Sequence, residues 1–429
     1  MASDSAMRIL WLQQYFGTPA GWGSQRQHEF AKRWVAAGHS VDVVCSSAYD
    51  PSLTEAGGEV DGIRLYLSGA VYRPQMGFAR RVVSFLRFMF DAFWHVTRYG
   101  RRYDVLIASS GPLTNVVPAL WGRLLYGLPF VFEVLDVWPD AAVAAGVLRN
   151  RLLVWCCARL EAAGYRWASR IVTCSSGMTE RVGKKLGLRR EGPKVAESIC
   201  RPSEKALNPK VVTLAHGGNL IQPDRKACRA RLLDEQGWHD NICIVLYMGA
   251  MGRSNAVEDV AEAMLLTAGE ANVVWVFAGG GAREGLIRDA LLKTKGVFLG
   301  KVAHSRMREL CAAADINVVT FMHAPLFYEN SPNKFFDGIA AGLPAVFNRS
   351  TWLEPWLRDY DCGIACKGER PGEELAMAIR SLAGDPERRR RMGRNARRLA
   401  EEVFDRDKLA EDYFKLLEGA LEARKSRGA

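Results

Sequence analysis

Nothing in the 429-residue sequence is apolar for long enough to cross a membrane as a helix. That would take about 18 uninterrupted residues, and the nearest approach, Val116 to Val134, is broken by Pro118, Arg123 and Pro129. The opening MASDSAMRILWL has no apolar h-region of the secretory kind. The ten cysteines are scattered: Cys156 and Cys157 are adjacent, Cys362 and Cys366 lie four apart, and no CxxC pair has a second pair to match. That spacing argues against a zinc site, and the expected setting is a reducing cytoplasm with most thiols acting as small core residues. Low-complexity tracts are absent. Hydrophobic residues make up 48% and charged residues 24%, which rules out a disordered chain. What is present in excess is positive charge, a net +11, suited to phosphates, nucleic acid or an acidic membrane surface.

The length suggests two or three domains, and a strand-then-helix pattern runs through the chain twice. Arg8–Leu12 reads as a strand, followed by a loop with Gly17, Gly21 and Gly23. A helix from about Gln25 to Ala37 stops at Gly38, and Val41–Cys45 is the next strand. Further apolar runs stand at 105–108, 130–134 and 171–174, each ending in Gly, Pro, Ser or Asp. Buried parallel strands whose carboxyl ends open into functional loops look like this. A Pro/Gly-interrupted stretch from Glu191 to Pro223 reads as a linker. Strands then recur at 242–248, 273–278, 316–320 and 345–348, and residues 406–424 form an amphipathic helix. The expected fold class is α/β, with two doubly wound Rossmann-like units, 1–210 (joined by the final helix, 406–429) and 211–405, and a ligand cleft between them.

The richest segment is FYENSPNKFFDGIAAGLPAVF. Glu329 and Asp337 are separated by seven residues. Ser331-Pro332 fits an N-cap followed by Pro at the first helical position. Asn333 and Lys334 then fall in the first turn, where free N–H groups and the helix dipole favour a phosphate. The same residues also fit an ordinary capped helix with two solvated carboxylates.

This segment resembles the E-x7-E motif of retaining glycosyltransferase family 4, with Asp337 in place of the second Glu. SPNK-x-x-D followed by AAGLP is similar to the WbuB-like enzymes of O-antigen, capsule and exopolysaccharide synthesis. The resemblance implies a GT-B fold and a metal-independent, retaining transfer of a hexosyl or N-acetylhexosaminyl group. It places Glu329 on the donor sugar, the Asn333–Lys334 backbone on the diphosphate and Asp337 on the ribose. GAMGRSN resembles the loop where Arg253 would meet the diphosphate, although the usual following Lys is replaced at Asn255. Gly279-Gly280-Gly281 matches the family GxG, and Gly300-Lys301-Val302 its base-binding turn. A glycine-rich turn also fits a tight strand-to-helix connection.

In the first half, PAGWGSQRQHEF resembles the family's first loop and helix. Gly21 and Gly23 would approach the donor, with Ser24 and Arg26 at the helix start on the acceptor side. FEVLDVWPD resembles a segment where Asp136 would act as base and Trp138-Pro139 would shape the acceptor site. Asp136 also fits a helix cap. Ser110 and Ser175 stand in loops expected to line the cleft, and His216 reads as a hinge residue.

No post-strand DxD offers a metal site, since Asp359-Tyr360-Asp361 reads as a polar turn; no metal or cofactor is expected beyond the nucleotide sugar. UDP is favoured because the family uses it more often, with GDP open. Along Phe78–Arg102, Arg80, Ser84, Arg87, Asp91, His95 and Arg98 fall on one stripe, and Phe85, Leu86, Met89, Phe90, Phe93 and Val96 fall opposite. That pattern suits an anionic membrane interface, where lipid-linked glycan acceptors are met, or a core helix with a solvated basic face. The run 387–402 mixes arginines with acids and reads as a solvated helix, so nucleic acid is not an expected partner. The alternatives are a GT-B nucleotide-sugar epimerase or hydrolase and a non-catalytic nucleotide-sugar-binding subunit.

Overall fold

The computed structural model describes residues 6–21, 24–48, 50–54, 58–73, 76–188 and 210–428. Gly23 and most of the expected linker lie outside them. The chain divides into two compact units: residues 1–215 with 407–429, and residues 216–406. The division thus falls at Ala215/His216 rather than at 210/211.

The first unit contains β1 (Arg8–Leu12), α1 (Arg26–Ala36), β2 (Ser40–Cys45), β3 (Glu59–Val60), β4 (Ile63–Leu67), α2 (Phe78–Tyr99) and β5 (Val105–Ser109). It continues with α3 (Val116–Tyr126), β6 (Phe130–Val134), α4 (Asp140–Ala144), α5 (Arg151–Trp167), β7 (Arg170–Thr173), α6 (Ser176–Lys185) and β8 (Val211–Thr213). The sheet order is β3-β4-β2-β1-β5-β6-β7-β8, parallel except at the β3–β4 edge. Side chains alternate across the pleat. Ile9, Trp11, Val43 and Ile107 face Phe30 and Trp34 of α1, while Leu10, Leu12, Leu106 and Phe132 face α2, α3, α5 and α6.

The second unit runs α7 (Arg225–Gln236), β9 (Cys243–Ala250), α8 (Val257–Leu266), β10 (Val273–Gly280), α9 (Glu284–Leu291), β11 (Gly296–Phe298), α10 (His304–Ala313) and β12 (Ile316–Val319). It ends with α11 (Asn333–Ala340), β13 (Ala345–Phe347), α12 (Glu354–Asp359), β14 (Gly363–Ala365), α13 (Pro371–Gly384) and α14 (Pro386–Glu402). Its sheet, β11-β10-β9-β12-β13-β14, is parallel throughout. The closing helix α15 (Arg406–Gly428) returns to the first unit, where Leu409, Tyr413 and Leu417 join the α1 face of its core. Trp34 Nε1 donates to the Ala410 carbonyl at 2.9 Å there.

Two expectations need correcting here. Arg26 is not an acceptor-side residue: it is fully buried, and its Nε donates to Glu133 Oε1 at 2.9 Å. Its two terminal nitrogens hold the carbonyls of Ala215 (2.6 Å) and Leu214 (3.0 Å). Glu133 also accepts from Gln27 and from Ser109 Oγ, so the buried pair is saturated with donors. The faces of α2 also differ from the two stripes drawn from sequence. Ser84, Phe88, Ala92, His95 and Val96 are buried, whereas Val83, Leu86, Phe90 and Trp94 are exposed beside Arg80, Arg87 and Arg98. The polar members go inside because partners wait there: Gln14 for Ser84 at 3.1 Å and Tyr103 for His95 at 2.9 Å. Among the described residues no helix is long and apolar enough to cross a membrane.

Breaking a buried ion pair strands the remaining charge. Arg26→Met is expected to lower stability by roughly 3–5 kcal/mol in urea unfolding, and the double variant Arg26→Met/Glu133→Gln to recover part of that loss. A single variant as stable as the wild type would show that the pair contributes nothing.

Candidate active site

In a parallel sheet every strand delivers its next loop to the same edge. In the second unit, β9 leads into 251–256, β12 into 320–332 and β13 into 348–353. Hydrogen bonds tie these loops together. Met322 N–H donates to the Ser254 carbonyl at 2.9 Å, and Thr320 Oγ1 donates to the Asn255 carbonyl. Asn348 exchanges two bonds with the Phe321 backbone (2.9 Å each) and donates to Asp259 at 2.7 Å; Asp259 also meets His323 at 3.0 Å. Trp352 fixes the turn after Glu329 by donating from Nε1 to the Asn330 carbonyl at 2.9 Å. None of these positioning residues carries a local sequence signal, because each bond joins positions more than twenty residues apart.

Within this frame the start of α11 differs from the sequence reading. Asn333 is the first helical residue and Pro332 holds the cap position in extended backbone (φ −83°, ψ 123°), with no side-chain cap. Ser331 is therefore not the N-cap. It stands one residue before the cap, and its hydroxyl is buried without a hydrogen-bond partner. Lys334 Nζ is buried without one too. It lies 4.2 Å from the Tyr247 ring centroid, beside Gly249, whose missing side chain leaves it room. Burial pulls its ammonium down from 10.5 to about 7. A buried cation and a buried hydroxyl, each without a hydrogen-bond partner and three residues apart at a helix start, are groups that an anion could satisfy.

Around this pair, Arg253 is exposed and makes no ion pair among the described residues. Glu329 ends the short 3-10 turn Pro325–Glu329 before α11. Asp337 sits one face along the helix, 3.6 Å from Arg406 and 3.8 Å from His304, beside a small pocket that includes Gln222 and Arg308. Arg406 also donates to the Gly217 and His216 carbonyls, at 2.5 and 3.3 Å. Val302 is half-buried against the apolar layer of β10, and Gly279 N–H donates to the Gly300 carbonyl at 2.7 Å.

The glycines expected to cradle the donor have another cause. A Cβ on Gly279 would lie 1.9 Å from the Gly249 carbonyl oxygen, and one on Gly281 2.5 Å from that of Met251. The neighbouring backbone by itself demands glycine at both. Gly21 likewise makes room for the Asp50 carboxylate, 2.7 Å from where its Cβ would stand. Ser24 is exposed at the start of α1, and its hydroxyl accepts from Arg26 N–H at 3.5 Å.

In the first unit, Asp136 and Trp138 follow β6. Ser110 is buried and does not line an open surface: its hydroxyl accepts from the N–H groups of Leu135 (2.9 Å) and Asp136 (3.2 Å), fixing this loop. Lys185 clamps its other end by donating to the Trp138 carbonyl at 3.0 Å, with Glu161 and Asp140 at 2.7 and 3.2 Å. Asp136 caps no helix, since α4 starts after Pro139 without a side-chain cap. Its side chain is open to solvent, yet the protein packed about its carboxyl pushes it up to about 6. Ser175 is a buried cap of α6, accepting from Met178 N–H at 3.2 Å.

Residues 23–195 match the model of the glycosyl transferase 4-like domain, and residues 229–399 that of the glycosyl transferases group 1. The chain belongs to glycosyltransferase family 4. A glycogen synthase of Mycobacterium tuberculosis is 23% identical over 419 residues, 93% of this chain and 91% of that protein. Two solved structures share the fold. Sucrose-phosphate synthase from Thermosynechococcus elongatus has a TM-score of 0.73 and 18% identity, over 97% of this chain and 100% of that one. Anabaena HepE in complex with UDP-glucose has a TM-score of 0.68 and 16% identity, over 96% and 99%. The protein is thus a GT-B glycosyltransferase built from two parallel-sheet α/β units.

The depressed Lys334 gives a signed stability prediction. Below about pH 7 the lysine is charged in both states and the fold bears the full cost of burying it; as pH rises from about 7 towards 10.5 the folded lysine is neutral and stability recovers. Lys334→Met is therefore expected to raise the melting temperature by a few degrees at about pH 6, with the gain shrinking towards about pH 9. A gain that grows with pH would contradict a buried, unpaired ammonium.

Proposed function

We propose that this glycosyltransferase moves a sugar, with retention and without a metal ion, from a nucleoside-diphosphate sugar to a hydroxyl of a bacterial glycan carried on polyprenyl diphosphate. UDP is the favoured nucleotide. The observation that carries the reading is the partnerless Lys334 ammonium and Ser331 hydroxyl at the start of α11, in the unit that also presents Arg253. Negative charge grows on the leaving diphosphate, and preorganised cations and N–H dipoles stabilise it most where water is excluded. Lys334, Arg253 and the first N–H groups of α11, at Asn333 and Lys334, fill that role. Glu329 contacts the donor sugar and Asp337 the ribose, while Asp136 takes the acceptor proton with Trp138 shaping its surroundings. HepE bound to UDP-glucose supports the donor class as a fold-level likeness. The acceptor would be met at the cytoplasmic face of the inner membrane.

Binding of the diphosphate requires charged Lys334, and proton abstraction requires ionised Asp136. The pH profile of kcat/KM is expected to rise through about 6 and fall above about 7, with Asp136→Asn removing the acid limb and Lys334→Met the basic one. Glu329→Ala should abolish transfer with the fold intact, and Arg253→Ala should lower kcat by roughly a hundredfold or more. Isothermal titration with UDP and GDP, with and without magnesium, tests the donor directly. Magnesium-independent binding of one nucleotide supports the reading; near-normal turnover by the Glu329 variant, or no nucleotide binding, overturns it.

A further inference from the structure

The helices α2, α3 and α5 form one layer on the first unit's sheet. Phe93 of α2 stacks on Trp121 of α3 at 4.9 Å, and Arg123 of α3 lies 5.9 Å from the Trp167 ring of α5. The outside of this layer is unusual for a solvated surface. Phe90 and Trp94 are each 63% exposed, Leu124 78% and Trp155 56%, with Val83, Leu86 and Leu152 also exposed. Large exposed apolar patches of this kind mark interaction sites.

The charge is as one-sided as the hydrophobicity. The three helices carry eight arginines (80, 81, 87, 98, 123, 151, 159 and 166) against two acids, Asp91 and Glu161. Asp91 is paired with Arg87 at 3.1 Å, and Glu161 is buried with Lys185. Guanidinium groups stack on the exposed tryptophans, Arg159 over Trp155 at 5.3 Å and Arg166 over Trp167 at 5.9 Å. At the start of α5 a groove of about 690 Å³ is lined by Val143, Leu148, Val154 and Trp155, with Arg149 and Arg151 at its edge. It opens a few residues beyond Trp138 along the chain, next to the proposed acceptor loop.

We propose that the outer face of α2, α3 and α5 docks on an anionic lipid bilayer, with the α4–α5 groove seating one lipid: hydrocarbon against Val143, Leu148, Val154 and Trp155, phosphate between Arg149 and Arg151. Arginine and tryptophan also occur together in protein interfaces, so the choice of a bilayer rests on the excess of positive charge spread over all three helices. Here eight arginines against two acids are interleaved with exposed tryptophans, the composition of a membrane-interface face. The inference deepens the lipid-linked acceptor reading by naming where the enzyme meets the membrane.

The test is co-sedimentation of the full chain with phosphatidylcholine vesicles, with and without phosphatidylglycerol and with no sugar donor present, so failed binding cannot be mistaken for failed glycosyl transfer. The wild type is expected to bind only the anionic vesicles. Arg149→Ala/Arg151→Ala should weaken binding roughly thirtyfold, at about 1 kcal/mol per arginine, and Arg149→Lys/Arg151→Lys should retain most of it. Leu152→Ser/Trp155→Ser and Phe90→Ser/Trp94→Ser should each lose binding with unchanged melting temperatures, since all four side chains are exposed. Equal binding to neutral and anionic vesicles, no binding, binding indifferent to these variants, or a protein dimer abolished by them would overturn the proposal.

Discussion

Four consecutive carbonyls, Leu214 to Gly217, lie where the chain leaves one unit and enters the next, and buried carbonyls outside regular structure must find donors. Two arginines supply them. Arg26 holds Leu214 and Ala215 from within the first unit; Arg406 holds His216 and Gly217 from within the second. A guanidinium suits the task because its donors form a rigid planar fork and it stays charged when buried. Each arginine also faces a carboxylate in its own unit. Glu133 stands three residues before Asp136, and Asp337 lies on α11 beyond Lys334. The groups that secure the crossing segment thus also set the strand end and the helix from which the candidate site residues project. A loss at either arginine is therefore expected to reach the site through the backbone, without touching a substrate.

The second unit keeps a cost that a purely structural protein would have removed. A hydrophobic residue at position 334 would fill the space beside Tyr247 and Gly249 without burying an ammonium. The lysine persists there with no acceptor, over a ring whose face attracts cations weakly. Local destabilisation of this kind is what a preorganised electrostatic site requires, since a cation already stripped of water needs no reorganisation when negative charge arrives. The interlocked loops around it, tied through Asn348, Asp259 and Trp352, keep that cation from relaxing towards solvent.

Much of the architecture was legible in the sequence because parallel sheets bury both faces, so their strands read as continuous apolar runs ended by glycine, serine or aspartate. β1, β2, β5, β6, β7, β9, β10, β12 and β13 were all visible this way. β3, β4, β8, β11 and β14 were not: four of them have only two or three residues, and Arg64 interrupts the apolar run of β4. The helix start near Lys334 was legible in kind and off by one residue, because Pro332 suits both the cap and the first turn and only the backbone decides. What sequence could not separate was a glycine needed by a ligand from one needed by a neighbouring chain. Gly279 and Gly281 serve β9 and the loop after it, through contacts thirty residues away in sequence. Arg26 failed for the same reason, since its partner Glu133 lies on β6, 107 residues away, and nothing local distinguishes a buried arginine from a presented one.

α2 shows how a helical wheel can find the period and still draw the wrong stripes: Ser84 and His95 of the polar stripe are buried together with Val96 of the apolar one, while Leu86 and Phe90 are exposed. Periodicity reports which residues share a side, but burial is fixed by what the sheet offers. Here the sheet side offers Gln14 and Tyr103, so Ser84 and His95 can be buried with their hydrogen bonds made and Phe88, Ala92 and Val96 can pack between them. The larger apolar residues are left outside, although burying a side chain such as Phe is worth about 1.5–3 kcal/mol. Folding alone gives no return for keeping Phe90 and Trp94 in water, nor for the same choice at Trp155 on α5. An arrangement that forgoes that burial on neighbouring helices, and surrounds it with arginines, is what the proposed docking on a bilayer would account for and the stability of the unit alone would not.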